Sequence, residues 1–146
     1  MTSVKLPETV QHEFNDLLLG DKLGSGCYRD VYELAINPRL VMKIEIRDSR
    51  QFCNVCEWEV WNELRGTEWE KFLAPCRWIS HSGSVLIQER TEPITKLPTQ
   101  LPSFMTDIKL SNLGKIGRRV VAHDYAFHKF FTRGLKGVKM APVPRD

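Results

Sequence analysis

The chain has 146 residues, of which 42% are hydrophobic and 27% are charged, and this composition is typical of soluble globular proteins. The length allows one compact domain or two small lobes and excludes two independent domains. No run of eighteen apolar residues occurs and the N-terminal segment does not resemble a secretory signal, so we expect no membrane partner. The four cysteines are few for this length, which favours free thiols and a cytoplasmic location.

The net charge of +3 is distributed unevenly along the chain. Residues 1–108 carry 12 basic and 16 acidic side chains, whereas residues 109–146 carry 9 basic and 2 acidic ones. A basic stretch of this density attracts phosphate, whether on a nucleotide, a nucleic acid or an acidic protein surface. A solvated positive surface is the alternative interpretation. A nucleic-acid-binding protein is therefore a third hypothesis, which rests on this segment alone and is the least favoured one.

In chain order, the first predicted element is a short helix over residues 8–19, where apolar residues have helical spacing up to Gly20. An antiparallel meander follows it. The pattern predicts two short strands within residues 23–34, joined across a glycine-bearing turn, and a third strand over residues 40–46.

The hydrophobic period changes to that of a helix over residues 49–66. Val60, Trp61 and Leu64 fall on one helical face, which we expect to be buried. Glu57 precedes these residues by three, four and seven positions and therefore lies at the edge of the same face.

Two further strands are predicted over residues 76–81 and 84–89, joined by a hairpin turn at Ser82-Gly83. The first part of the chain therefore predicts five antiparallel strands with one helix inserted after the third, which is an α+β fold.

The second part of the chain is predicted to be less regular. Three prolines in residues 91–106 indicate an extended linker. Residues 104–127 predict short strands on either side of a turn at Gly114–Gly117. The basic tail from His128 onward is expected to be mobile at its tip. We expect three aromatic residues to anchor this tail: Phe127, Phe130 and Phe131.

Several polar residues match the needs of phosphoryl transfer, which requires a cover over the phosphates, a cation, magnesium ligands and a carboxylate that orients the attacking hydroxyl. Gly24 and Gly26 lie in a strand–turn–strand context, where glycine lets the backbone approach phosphate closely. An ordinary hairpin would use the same glycines. Lys43 lies mid-strand between apolar neighbours and, if buried, needs a carboxylate partner. A solvent-facing lysine on an edge strand is the alternative.

Carboxylates are available both to pair with Lys43 and to take part in phosphoryl transfer. Glu57 is the partner that we expect for Lys43, and Glu59 is the second candidate. Asp107, Lys109 and Asn112 can converge on one site from a tight loop, and a predicted strand after the hairpin ends at Asp124. Asn112 and Asp124 carry hard oxygen donors of the kind that suit magnesium bridging phosphates.

In this order the motifs resemble those of the protein kinases, over most of the chain. Residues 23–31 are similar to the glycine-rich loop, with Tyr28 at its aromatic tip and Val31 over the adenine. Val41-Met42-Lys43 resembles the V-A-I-K strand, and Glu57 resembles the glutamate of helix C. The remaining motifs follow in the same order: Gln88-Glu89-Arg90 resembles the hinge, Asp107-x-Lys109-x-x-Asn112 the catalytic loop, and Asp124-Tyr125-Ala126 the D-F-G.

The resemblance implies a protein-kinase-like fold with ATP and Mg²⁺ as cofactors. It implies an N-lobe over residues 1–90, with the five-stranded sheet and helix C, and a strongly reduced C-lobe over residues 91–146. The hinge backbone would bind adenine through Gln88, Glu89 and Arg90.

The resemblance also implies a role for each polar residue. Lys43 would hold the α- and β-phosphates, with Glu57 fixing its position. Asp107 would orient the acceptor hydroxyl and Lys109 would neutralise charge on the γ-phosphate. The magnesium ligands would be Asn112 and Asp124. Lys109 favours protein kinases over the aminoglycoside and choline kinase branch, which lacks a lysine there.

The sequence also departs from the family pattern. Arg29 occupies the position of the third glycine, so we expect the loop to be stiffer or the arginine to contact phosphate. Met105-Thr106 replaces the His-Arg pair, which argues against control by activation-loop phosphorylation. Only 17 residues separate Glu89 from Asp107, where the family normally has two helices.

The sequence therefore supports an ATP-dependent phosphotransferase that acts on a Ser/Thr hydroxyl of a protein, itself included. The alternative is a catalytically inactive kinase-like module that binds and regulates a partner protein, and a homodimer is one such arrangement. Cys53-x-x-Cys56 with Cys27 and Cys76 could hold zinc, although cysteines at a helix start are usually small packing residues.

Overall fold

The structure is a computed structural model that describes residues 5–46, 52–126 and 136–144. Phe127, Phe130 and Phe131, the predicted anchors of the tail, lie outside these ranges. The described helices are α1 (Glu8–Leu18) and α2 (Cys53–Leu64). The described strands are β1 (Leu19–Ser25), β2 (Arg29–Leu34), β3 (Leu40–Glu45), β4 (Cys76–Ile79), β5 (Val85–Glu89), β6 (Gln100–Pro102), β7 (Leu113–Ile116), β8 (Arg119–Ala122) and β9 (Met140–Pro142).

The predicted α+β class and five-stranded antiparallel sheet are confirmed. The sheet has the strand order β1-β2-β3-β5-β4, with every neighbouring pair antiparallel. The central strand β3 places Lys43 opposite Val31 on one side and Leu86 on the other. Lys43 is therefore not on an edge strand, which removes the solvent-facing alternative.

Helix α2 packs against the sheet through one face. It begins after Phe52, whose backbone is left-handed with a φ of 53°, and residues 49–51 of the predicted helix lie outside the described ranges. The predicted face of Val60, Trp61 and Leu64 is buried. The period of the helix brings Glu57 onto the same face, where it is fully buried.

Helix α1 differs from α2 because none of its residues is buried. It ends at Leu18 and the chain continues directly into β1, so the predicted helix over residues 8–19 is one residue too long. None of the helices within the described ranges is long and apolar enough to cross a membrane.

The second part of the chain adds two small antiparallel pairs, β6 with β9 and β7 with β8. The turn between β7 and β8 contains Gly117, whose φ is 62°. Gly114, predicted to be in that turn, instead lies within β7. A Cβ at Gly114 would lie 2.3 Å from Thr91 Oγ1, so glycine allows β7 to approach the start of the linker closely.

The tail is tied back to the linker by β9, which pairs with β6. Val143 is buried in the hydrophobic core, so the expectation of a mobile end is wrong for residues 140–143. The same core contains Leu64 of α2, Leu86 of β5 and Tyr125 after β8. Since both parts of the chain contribute to one core, the polar residues that follow β5 and β8 are held in fixed positions relative to the sheet.

Candidate functional site

A cleft of about 650 Å³ lies between the five-stranded sheet and the segments around Asn112 and Asp124, within the volume range of small-molecule sites. The residues that the kinase resemblance assigns to the site all line this cleft except Glu57, Asp107 and Lys109. The candidate residues in its lining are Gly24, Gly26, Tyr28, Val31, Val41, Lys43, Gln88, Glu89, Arg90, Asn112 and Asp124. The fold therefore brings together residues that are spread over about a hundred positions of the sequence.

Glu57 lies at the centre of the polar network behind the cleft. Its Oε1 accepts hydrogen bonds from Lys43 Nζ and from Gln88 Nε2, the latter at 3.0 Å. Its Oε2 accepts from Arg29 Nη2 at 2.8 Å and from the backbone N–H of Tyr125 at 3.3 Å. Burial alone would raise the pKa of Glu57, but Arg29 and Lys43 outweigh it and lower the pKa to about 2. Glu57 is therefore an anion with donors on both oxygens.

The alternative carboxylate is excluded as the partner of Lys43. Glu59 is exposed on α2, whereas the Glu57 side chain has no exposed surface. The contact of Lys43 with Glu57 is an ion pair between two buried groups.

Lys43 makes a second contact, which links the sheet to the far side of the cleft. Its Nζ also donates to the backbone carbonyl of His123, next to Asp124. Burial lowers the pKa of Lys43, and the attraction of Glu57 offsets only part of this effect. One ammonium group thus joins β3, α2 and the segment after β8.

Arg29 occupies an unexpected position. Its side chain is 8% exposed and lines the inner end of the cleft, and the expected stiffer loop or phosphate contact stays a prediction. The guanidinium donates to Asn54 Oδ1 at 3.2 Å, to Glu57 Oε2 at 2.8 Å and to Asp124 Oδ1 at 2.9 Å. Burial would lower the pKa of Arg29, but the two carboxylates outweigh it and raise the pKa, so the guanidinium stays charged.

Asn54 completes this network and was not a candidate in the sequence. Its Nδ2 donates to the backbone carbonyls of Lys43 and Gly83, each at 3.0 Å, so that its oxygen faces Arg29. A Cβ at Gly83 would lie 2.6 Å from a methyl group of Val55, which explains the glycine in the β4–β5 turn. The helical period, which brings Asn54 onto the face of Glu57, could have identified it.

The predicted magnesium ligands lie next to each other. The backbone N–H groups of His123 and Asp124 approach the carbonyl of Asn112 at 3.0 and 3.4 Å. Asn112 Nδ2 donates to the carbonyl of Asp107 at 2.9 Å, which orients the amide oxygen for another partner. The Asp124 side chain is 44% exposed, and only its Oδ1 is bound by Arg29. This donor set fits a hard cation that also takes oxygen ligands from a nucleotide.

The described residues contain no cluster of three or more His, Cys, Asp or Glu side chains that could hold a metal ion by themselves. The zinc alternative is therefore not supported, since all four cysteines belong to the described ranges and are free thiols. Burial raises the pKa of Cys53 to about 11 and that of Cys76 to about 12, so both thiols remain protonated.

Asp107 and Lys109 occupy a more exposed position. Their side chains are 39% and 64% exposed, and Lys109 Nζ lies 3.6 Å from Asp107 Oδ1. They precede the short 3-10 helix Leu110–Asn112 and do not line the cleft. The structure thus places Asp107 beside Asn112, whose amide donates to its carbonyl, and outside the lining of the cleft.

His123 connects two walls of the cleft. One ring nitrogen, Nε2, lies 2.7 Å from the carbonyl of Ser111, and the other, Nδ1, lies 2.6 Å from Thr91 Oγ1. Burial and the nearby Lys43 lower the pKa of His123, which favours a neutral ring. Because a carbonyl can only accept, Nε2 carries the proton and Nδ1 accepts from the threonine.

The candidate hinge residues end β5 and face the cleft in different ways. The Gln88 side chain is fully buried and contacts Glu57. The backbone N–H groups of Glu89 and Arg90 donate to Pro75 and Arg39. Those two donors already have backbone acceptors, on residues just before β4 and β3, and hydrogen bonding of the hinge residues to adenine stays a prediction.

Gly24 and Gly26 adopt conformations open to other residues, since neither has a positive φ. A Cβ would have no neighbour within 4 Å at Gly24 and only Arg29 O, at 3.7 Å, at Gly26. The hairpin itself therefore does not require glycine at these positions. Both glycines line the cleft.

Comparisons with known proteins found solved structures that are similar to part of this chain. The gentamicin–APH(2'')-IIa complex matches 64% of this chain and 31% of its own, with 18% identity and a TM-score of 0.46. The streptomycin–ATP–APH(2'')-IIa ternary complex has the same coverage and identity and a TM-score of 0.45. The chain thus spans about a third of the length of these structures. No family model and no curated protein matches it.

The class of protein that the fold defines is α+β, with a five-stranded antiparallel sheet and a single helix after the third strand.

Proposed function

We propose that the chain is an ATP-dependent phosphotransferase that transfers the γ-phosphate of ATP to a hydroxyl group. The observation that carries this proposal is the buried ion pair of Lys43 and Glu57 at the back of a cleft whose opposite wall carries Asn112 and Asp124. A charged lysine in a buried strand is unfavourable unless it is paired, and the pair holds the ammonium at the edge of the cleft.

The residues of the cleft fit the parts of a nucleotide. Gly24 and Gly26 leave space for close approach of phosphate oxygens to the backbone. Val31 and Val41 offer an apolar surface to a base. Lys43 is placed to bind phosphate oxygens while Glu57 fixes its position.

Asn112 and Asp124 would hold Mg²⁺ together with phosphate oxygens, and the cation would neutralise charge on the transferred group. Asp107 would orient the acceptor hydroxyl, and Lys109 would neutralise charge on the γ-phosphate. Both side chains are partly exposed, so an acceptor can reach them from solvent. The two-lobe division at residue 90 belongs to the same proposal.

The acceptor that we propose is a Ser or Thr hydroxyl of a protein, the chain itself included, because Lys109 is a feature of the protein-kinase resemblance. The likeness to an aminoglycoside phosphotransferase makes the hydroxyl of an aminoglycoside the competing acceptor. The two classes differ in size, so one labelling experiment separates them.

The test is incubation with γ-labelled ATP and Mg²⁺, with the chain alone, with an added protein acceptor or with gentamicin. Transfer should fall by about 10²–10⁴-fold in Asp107→Asn and Asp124→Asn. Glu59→Gln, a carboxylate change on the exposed face of α2, is the matched control and should keep full transfer. Label on gentamicin but not on protein would identify an aminoglycoside hydroxyl, and not a protein hydroxyl, as the acceptor. Undiminished transfer in Asp124→Asn would contradict the assignment of Asp124 to the site.

A second candidate function is a nucleotide-binding module that regulates a partner protein or a second copy without transferring phosphate. Two observations favour it: Arg29 occupies one oxygen of Asp124, and Asp107 does not line the cleft. A nucleotide-dependent rise in melting temperature without any transfer would select this function. Lys43→Met should abolish that rise, whereas Lys115→Met, on the exposed side of β7, should preserve it.

A further inference from the structure

Arg29 differs from the other polar residues of the cleft because the family pattern has a glycine at its position. The side chain starts from the first residue of β2 and its guanidinium bridges Glu57 on α2 and Asp124 after β8. Asn54 fixes a third N–H at 3.2 Å. A buried guanidinium with three acceptors has a defined orientation, since its donors form a rigid planar fork.

The charges in this cluster balance without any added cation. Arg29 and Lys43 supply two positive charges, and Glu57 and Asp124 supply two negative ones. Without Arg29 the same cluster would carry a net negative charge and would favour binding of cations. The guanidinium of Arg29 therefore neutralises the carboxylates of Glu57 and Asp124, which a metal ion could otherwise neutralise.

The hydrogen bond of Arg29 also restricts what Asp124 can offer. Oδ1 accepts from Nη2 at 2.9 Å, so Oδ2 is the oxygen left for a metal ion. The Asn112 amide contributes one oxygen as well, because its nitrogen is held by Asp107. One oxygen from each residue suits a single cation better than two, since two cations would have to share the one remaining aspartate oxygen.

We propose that Arg29 is a positioning residue that replaces a second divalent cation, so that the site takes one cation per bound nucleotide. This inference rests on the proposed function, because it assumes that a cation binds at Asn112 and Asp124 together with the nucleotide. Arg29 holds Asp124 in place and lowers the affinity of the site for cations through repulsion.

The test measures Mn²⁺ bound per chain by electron paramagnetic resonance, with a saturating non-hydrolysable ATP analogue. The unsubstituted chain should bind one Mn²⁺. Arg29→Gln, which keeps a hydrogen-bond donor but removes the charge, should bind two Mn²⁺ or bind the first about tenfold more tightly. Arg77→Gln, an exposed arginine paired with Glu89, is the matched control and should leave Mn²⁺ binding unchanged.

The outcomes separate the two proposals. Two Mn²⁺ on the unsubstituted chain would overturn the role of Arg29, whether or not the variant folds. One Mn²⁺ on both proteins with unchanged or weaker affinity in Arg29→Gln would also overturn it, since loss of a merely structural contact does not tighten cation binding. No Mn²⁺ on the unsubstituted chain, with or without nucleotide, would instead contradict the proposed function.

A second variant distinguishes charge from geometry. Arg29→Lys keeps the positive charge but cannot donate in the planar fork that joins Glu57 and Asp124. We expect this variant to retain one Mn²⁺ and weak affinity. Two Mn²⁺ in Arg29→Lys would contradict the electrostatic part of the proposal.

Discussion

The cluster around Glu57 and the loop around Asp107 carry the same kinds of charged residue in opposite environments. Glu57 is fully buried with four donors, from β2, β3, β5 and the segment after β8. Asp107 and Lys109 lie partly in solvent, 3.6 Å from each other. Charged groups in the first region have large effects on stability because they have no access to water, whereas those of the second have small ones. Substitutions in the loop around Asp107 should therefore change activity with little change in stability. Substitutions in the cluster around Glu57 should change the free energy of unfolding.

The largest effect is expected from Glu57→Ala. This change leaves Lys43 and Arg29 buried with fewer counter-charges, and we expect the free energy of unfolding to fall by about 3–5 kcal/mol. Chemical denaturation followed by circular dichroism measures it. Glu59→Ala, an exposed carboxylate two residues along the same helix, should change stability by less than about 0.5 kcal/mol. Equal losses in the two variants would refute the difference between buried and exposed carboxylates.

The next largest change in the free energy of unfolding is expected from a steric substitution. Gly114→Ala puts a Cβ 2.3 Å from Thr91 Oγ1 and 2.9 Å from the backbone oxygen of Glu92, so either β7 or the linker has to move. The cost should be about 1–3 kcal/mol. Gly24→Ala, which meets no atom within 4 Å, is the control and should melt like the unsubstituted chain. The control should also bind nucleotide more weakly, if the space above Gly24 holds phosphate.

The pH dependence of stability tests the same cluster without a mutation. The pKa of Glu57 falls from its ordinary 4.5 to about 2 on folding, so the unfolded chain binds more protons between these values. The stability from this group is fully present above pH 4.5 and is lost as the pH falls toward 2. The loss should be roughly 3 kcal/mol. Glu57→Gln should show a flatter profile in this window, and a profile identical to that of the unsubstituted chain would contradict the assignment.

The smallest stability effect is expected in the loop. Asp107→Asn removes charge from a partly exposed pair, and the free energy of unfolding should change by less than about 0.5 kcal/mol. Phosphoryl transfer should nevertheless fall by about 10²–10⁴-fold, as proposed above. If Asp107→Asn destabilises the chain as strongly as Glu57→Ala, the loss of transfer would report unfolding and not chemistry.

Much of the cluster around Glu57 could be predicted from sequence, because the periods of strands and of helices indicate which side chains share a buried face. The strand alternation around Lys43 and the helical spacing of Val60, Trp61 and Leu64 placed Glu57 on the face that meets the sheet. The predicted strands and the helix all occur in the structure. The ends of α1 and α2 differ from the predicted ones by a few residues, because the last turn of a helix has little to distinguish it in sequence.

The inward turn of Arg29 could not be predicted in the same way. A residue at the start of β2 can point to the cleft or to α2, and the choice depends on Asn54 and Asp124, which lie 25 and 95 positions away. The strand β9 was missed for a related reason, since a short segment gains its order only from pairing with β6. Gly114 was assigned to a turn because the packing of Thr91 against β7 has no local signature.

The hydrogen bonds of His123 have a consequence for how the cleft opens. Because the ring joins Thr91, after β5, to Ser111, before β7, the two walls cannot swing apart without breaking at least one of these hydrogen bonds. The opposite rim is the β1–β2 hairpin, where β1 is almost entirely exposed and forms one edge of the sheet. We therefore expect a ligand to enter by displacement of this hairpin, on the timescale of loop motion, while the rest of the cleft stays rigid.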